Sequence, residues 1–240
     1  MYRSIDERSV TYRGVFASFA VVAVAVLVAT HVGDAKAVDA PTTKHPDARQ
    51  APGNWNFEKG DFTGWQVSAR GSGAWHVYSD GTRPPDPADS DPNVPFNVPA
   101  PPEGRFAAVT DMSAPGTRIL YRDVKLDGRL RLRFTLFYDN AVGRFTSTAI
   151  LDHELRKANQ QVRVDLVDPA APVDSVASKD VLATIFRTAP GDPGKLAPHA
   201  VTFDLSRWAG KKVRLRFAQV DNRGPLRAGV DDVRVQPIGS

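Results

Sequence analysis

Oxygen-bearing side chains crowd two short stretches that lie far apart in the chain. Asn54, Asn56, Glu58 and Asp61 surround a Gly-rich turn, and Asp231 and Asp232 sit side by side near the other end. Calcium takes about six to eight oxygen ligands from carboxylates, amides, backbone carbonyls and water. A turn of this kind offers carbonyls alongside its carboxylates. Glu58, Asp61 and Asp231, with Asp232 beside them, are therefore candidate calcium ligands. An ion held there would clamp the two ends of a domain and would not catalyse. The competing reading is that these acids cap turns and pair with nearby Arg or Lys.

A second group of side chains suits sugars. Aromatic faces cover the apolar face of a pyranose while polar groups take its hydroxyls. Trp75, Tyr78 and Tyr138 lie on strand-like runs near loops and are the candidate ligand-binding residues. Trp65 and Trp208 read as core. Catalytic chemistry is poorly represented. Asp152, His153 and Glu154 bring three titratable groups together, but three adjacent residues cannot all face one ion from a regular strand. There is no H-E-x-x-H and no G-x-S-x-G. With no cysteine in the chain, disulfides, thiolate nucleophiles and cysteine zinc sites are excluded. No residue is assigned a catalytic role.

The elements that must position these groups are short strands. Residues 64–70 and 74–79 alternate apolar and polar, and Gly71-Ser72-Gly73 reads as a hairpin-like link between them. Residues 105–110, 117–124, 160–167, 199–204, 211–220 and 227–235 read as further strands. Residues 129–138 give the cleanest period-two run, with Leu130, Leu132, Phe134, Leu136 and Tyr138 on one face. Residues 145–151 read as another strand, 152–159 as a polar loop or helical turn, and 178–188 as a short helix. Eight prolines fall within 80–104. That composition excludes a central strand, and the loop could wall a cleft. Asp111 reads as the polar anchor of a turn. The basic runs Arg129, Arg131, Arg133 and Lys211, Lys212, Arg214, Arg216 alternate with apolar residues, which makes them wet strand faces. About ten short strands without long helices between them predict an all-β sandwich.

The run N-F-E-x-G-D-F-x-G-W at 56–65, with V-D-D-V-x-V at 230–235, resembles the galactose-binding-like β-sandwich family. D-L-S-x-W-A-G-K-K-V-R-L-R-F at 204–217 matches the same family's last strands. That family includes many secreted carbohydrate-binding modules. The resemblance spans roughly 54–235 and implies a jelly-roll domain. It also implies a structural calcium where the F-E and final D-D-V segments meet. Glu58 and Asp231 match those positions directly, Asp61 and Asp232 less so.

Ahead of the domain, 14–30 is a 17-residue stretch without charge. That length lies between a signal-peptide apolar core and a membrane span. Ala35-Lys36-Ala37 supplies an A-x-A cleavage signature. Residues 1–37 are therefore expected to be a hydrophobic helix acting as a signal peptide or an N-terminal anchor, with 38–53 a flexible spacer and 54–236 the sandwich. Both arrangements place the domain outside the cytoplasm, touching a membrane only through an uncleaved N-terminal segment. The net charge of +4 is spread over strands and accompanies no nucleic-acid motif. The expected function is non-catalytic binding of a polysaccharide or glycan. The alternatives are a structural or protein-interaction domain and, last, a hydrolase.

Overall fold

The computed structural model describes residues 53–80, 98–111 and 115–238. The hydrophobic segment at 14–30, the spacer up to residue 52 and most of the Pro-rich loop fall outside the described residues.

Alternation becomes strand along the chain because each run must bury one side and wet or cover the other. Ten strands form: β1 (Gln66–Gly71), β2 (Trp75–Ser79), β3 (Phe106–Thr110), β4 (Gly116–Lys125), β5 (Leu130–Asn140), β6 (Gln161–Val167), β7 (Val181–Arg187), β8 (Lys195–Asp204), β9 (Lys212–Asp221) and β10 (Leu226–Pro237). They build two five-stranded antiparallel sheets, β1-β4-β9-β6-β7 and β2-β3-β10-β5-β8. The inner faces meet in one core. Leu120, Phe217 and Val164 come from the first sheet, and Phe134, Val230 and Trp75 from the second. Trp65 and Trp208 join this core as expected. The last two strands, β9 and β10, occupy the central position of each sheet. The all-β sandwich expected from the sequence is present.

Four local readings are corrected. Gly71–Gly73 is not a hairpin link, because β1 and β2 belong to different sheets. Gly73 adopts φ +76, and a Cβ there would meet the Asp111 carboxylate, so this stretch is a tight crossing between layers. Residues 178–188 are not helical. Val181–Arg187 pairs with β6 as an edge strand, and its Val, Thr, Ile and Phe favour a pleat over a helix. Residues 145–151 contribute a single bridge, Thr146 with Gln160.

The fourth correction concerns the basic run in β9. Arg214 and Arg216 were expected on a wet face. Two loops, 146–160 and 168–180, instead cover the outer side of the first sheet, with Leu151, Val173 and Val176 packed on Ile119, Ala218 and Val220. Arg216 is fully buried and bonds Asp165 at 2.7 Å and the carbonyls of Val173 and Ser175. Arg214 holds the same loop through the carbonyls of Pro169 and Ala171. Arginine suits this role because its rigid fork meets several acceptors at once.

Candidate functional site

Between Asp231 and Arg234 a β-bulge interrupts the pairing of β10 with β5, and Asp232 adopts φ +51. The extra residue lets two consecutive aspartates leave on the outer side while Val230 and Val233 stay in the core. Their partners differ. Asp231 is fully buried, and its two oxygens accept from the backbone N–H groups of Glu103 (2.7 Å) and Asp232 (2.6 Å). Burial pushes its carboxyl up to about 7, against those two bonds, and the nearby charges of Glu103 and Glu58 add to the rise. Asp232 instead pairs with Arg133 at 3.2 Å and with Arg234.

Glu58 reaches the same place from the N-terminal segment. Its carboxylate accepts the N–H groups of Arg105 and Phe106 at 3.0–3.1 Å. Glu58 and Asp231, drawn from opposite ends of the domain, thus hold one backbone stretch, 103–106, where the chain enters β3. Glu103 is the acid that sequence reading missed. It accepts from Asn56 at 3.3 Å and pairs with Arg234 at 3.2 Å. Only its position three residues before β3 could have marked it. Asp61 lies apart from this group. It accepts the Thr63 N–H at 2.9 Å and an amide hydrogen of Asn54, and the Thr63 bond holds its carboxyl below the usual range. Among the described residues, no group of three His, Cys, Asp or Glu side chains is arranged to hold a metal ion.

The aromatic candidates are scattered. Trp75 is in the core between the sheets. Tyr78 is on the outer face of the second sheet but buried, and its hydroxyl donates to the Pro99 carbonyl at 2.9 Å. With Ala107, Val109, Phe137 and Val98 it forms a small apolar cluster there. Tyr138 packs edge-on against Phe145 and lines a cleft of about 240 Å³. Burial raises the hydroxyl pKa of both tyrosines. Of the three, only Tyr138 reaches this cleft.

That cleft is lined by residues of β5, β8 and β10 of the second sheet. Phe137, Asp139 and Arg227 supply its floor, Pro99 one wall, and Lys195, Leu196, Ala197 and Pro198 of β8 the other. Pro99 belongs to the described end of the Pro-rich loop, which therefore does wall a cleft. The polar groups form a row across three neighbouring strands. Arg227 of β10 is in register with Asp139 of β5, and Asp139 with Lys195 of β8, whose ammonium lies 3.2 Å from the carboxylate.

Asp152, His153 and Glu154 do not converge. Asp152 accepts the Glu154 N–H, and His153 is buried against the Thr117 hydroxyl at 3.1 Å. Asp111 anchors its turn through the Ala74 N–H and pairs with Arg118 at 3.3 Å.

No family model and no curated protein matches this chain. Solved structures similar to it include a carbohydrate-binding module, TmCBM61, in complex with β-1,4-galactotriose. The TM-score is 0.46 at 13% identity, covering 79% of this chain and 99% of that one. The K1 cleaved adhesin domain of Lys-gingipain from Porphyromonas gingivalis W83 gives 0.43 at 12% identity, covering 77% and 96%. A Stig cyclase from Fischerella sp. TAU gives 0.41 at 17%, covering 79% and 98%. At this similarity none of them tells what this chain binds.

Proposed function

We propose that the domain is an exported, non-catalytic carbohydrate-binding module that takes its ligand in the cleft on the second sheet. The observation that carries this reading is the cleft itself. It combines apolar walls with a short row of charged side chains, the mixture that orients a sugar ring. Its volume lies below the roughly 300–1,000 Å³ typical of small-molecule sites, which suits one ring of a longer chain. The order in which β3 to β10 alternate between the sheets supports a galactose-binding-like jelly roll. The large apolar side chains exposed among the described residues, Val67, Val142 and Ile150, lie on separate elements, so they favour no apolar docking patch.

The test is affinity electrophoresis of residues 38–240 through gels containing a panel of polysaccharides. Retardation by at least one is expected. Ala197→Trp, at an exposed position on the cleft wall, should abolish it without lowering the melting temperature. Unchanged mobility of the wild type in every gel would remove the carbohydrate reading.

A structural calcium belongs to the same proposal. The crowding of Asp231, Glu58 and Glu103 around the 103–106 stretch supports it, since among the described residues Arg234 alone pairs with one of them. Asp231 and Glu58 would be side-chain ligands, with Glu103 beside them, whereas Asp61 and Asp232 are committed elsewhere. A bound divalent cation would neutralise the cluster and tie the N-terminal segment to β10. Chelator should then lower the melting temperature of calcium-loaded protein by several degrees, and Asp231→Ala should remove that sensitivity. A melt indifferent to chelator would end the calcium claim. Export is proposed from the apolar run and Ala35-Lys36-Ala37. Secreted protein should begin at Val38, whereas an intact N-terminus in the membrane fraction would assign an anchor instead.

A further inference from the structure

We infer that the free edge of β1 takes a strand from a protein partner, an extended segment with a lysine or arginine that enters the cleft beside Arg70. The site is on the first sheet, apart from the cleft proposed for sugar, and does not depend on the carbohydrate reading. Four strands stand at sheet edges: β1, β7, β2 and β8. An edge presents unpaired N–H and C=O groups, and proteins guard such edges against other chains. Three of the four are guarded. Two register shifts interrupt the pairing of β7 with β6. β8 holds Pro198 and a shift against β5. β2 is short, and Val98 and Pro99 pack against its Tyr78. β1 has none of these devices. It pairs with β4 at six successive positions without a shift, and it carries no proline. Among the described residues its main chain bonds to β4 alone. Nearly all of it is exposed. Val67 stays 39% exposed although Leu120, opposite it on β4, is in the core. A strand laid beside β1 continues the sheet and covers Val67.

Strand addition draws affinity from main-chain bonds and selectivity from pockets for alternate side chains. Such a pocket adjoins this edge. Arg70 is opposite Thr117, two residues from the outward-facing Ile119, so it lies on the outer side of the sheet. Its guanidinium reaches the Leu151 carbonyl at 3.0 Å and Asp174 at 2.8 Å. Beside it, the loops 146–160 and 168–180 leave a cleft of about 410 Å³. Ile150 and Val176 give this cleft apolar sides, while Asp152, Asp174 and Arg70 give it charge. Arg70 matches Asp174. Asp152 accepts the Glu154 N–H at 2.9 Å, and none of the ion pairs among the described residues includes it. The lining therefore carries one excess negative charge. A long basic side chain fits, with its aliphatic stem along Ile150 and Val176 and its cationic head at Asp152. An acidic side chain would meet like charge. Main-chain bonding with one such pocket needs no broad apolar patch.

The probe is a fluorescein-labelled peptide, Val-Thr-Val-Lys-Val-Thr-Val, titrated with residues 38–240 and read by anisotropy. Saturable binding with a Kd below about 1 mM is expected. The same peptide N-methylated throughout should not bind, because it has no main-chain donors. Norleucine in place of lysine should weaken binding about three- to tenfold, and glutamate more. Asp152→Asn keeps the acceptor for the Glu154 N–H and should remove the preference for lysine over norleucine. Val67→Lys sets on the edge the kind of charge that guards other edges. It should weaken the lysine and norleucine peptides alike and leave the melting temperature unchanged. Binding of the N-methylated peptide, equal binding of the glutamate peptide, or a lysine preference that survives Asp152→Asn overturns the inference. So does the absence of binding up to that concentration. Self-association in sedimentation that Val67→Lys abolishes overturns it too, and assigns the edge to a second copy of this chain.

Discussion

Arg118→Met should cost about 3–5 kcal/mol of folding stability, the range for removing one partner of a buried ion pair. Arg118 is completely buried between two aspartates. Its guanidinium lies 3.3 Å from Asp111 and 3.1 Å from Asp221, and it donates to Gln219 at 2.7 Å. Methionine fills much of the volume but takes the guanidinium away from both carboxylates. For a domain of this size each kcal/mol is worth about 2–4 °C, so a fall of about 10 °C in melting temperature is expected.

The loss should depend on pH. Burial raises Asp221 to about 6, against the lowering effect of Arg118. Between its ordinary value near 3.8 and about 6, the folded protein holds a proton that the unfolded chain has released. Stability from this group therefore falls as pH rises through that window and is level above it. At about 1.4 kcal/mol per unit, the effect in the wild type is at most about 3 kcal/mol. Without Arg118 the window extends upward, so the variant should be worst near pH 8 and partly restored near pH 5. Urea melts at both values decide it. A variant equally destabilised at both would show that Asp221 is not the group left uncompensated.

Gly229→Ala is the second large effect, and it strikes the floor of the cleft. Gly229 faces Phe137 across β10 and β5, and an added Cβ would lie 1.9 Å from the ring. No small adjustment absorbs that overlap, because the ring is also held by Tyr78, Ala107, Val109 and Val98. Overpacking of this kind costs about 1–3 kcal/mol and sometimes more. It should also abolish retardation by the polymer that the wild type binds, because Phe137 lines the cleft. Phe137→Leu in the same chain should relieve the clash. The double variant should then be at least about 1 kcal/mol more stable than the sum of the singles allows. Strict additivity would mean that the ring and the glycine do not meet.

Strand positions were largely legible, because period-two alternation reports burial directly, and β5 is the clearest case. Layer assignment was not. Gly71-Ser72-Gly73 has the composition of a hairpin, yet the same glycines serve a crossing between sheets, and only long-range pairing separates the two. Alternation also could not say what covers the second face of a strand. Arg216 reads as wet until the 168–180 loop is laid over it. For the acids, the sequence brought Glu58 and Asp231 to one place but could not exclude Asp61 and Asp232, whose partners, Thr63 and Arg133, depend on a local turn and on the bulge. The cleft was least legible. Lys195, Asp139 and Arg227 are far apart in the chain, and only strand register aligns them.

The central places of β9 and β10 constrain when folding can happen. Until residues 212–237 are present, β4 and β6 have nothing between them, nor do β3 and β5, and neither sheet can close. Only the flanking pairs, such as β6 with β7 and β5 with β8, can form earlier. Such non-local pairing is slow, with milliseconds to seconds usual for sandwiches. A chain emerging N-terminus first therefore carries its core residues unprotected for nearly its whole length. Whatever passes it along, ribosome or translocation pore, handles an extended polymer, and the domain condenses only after its last strands are released.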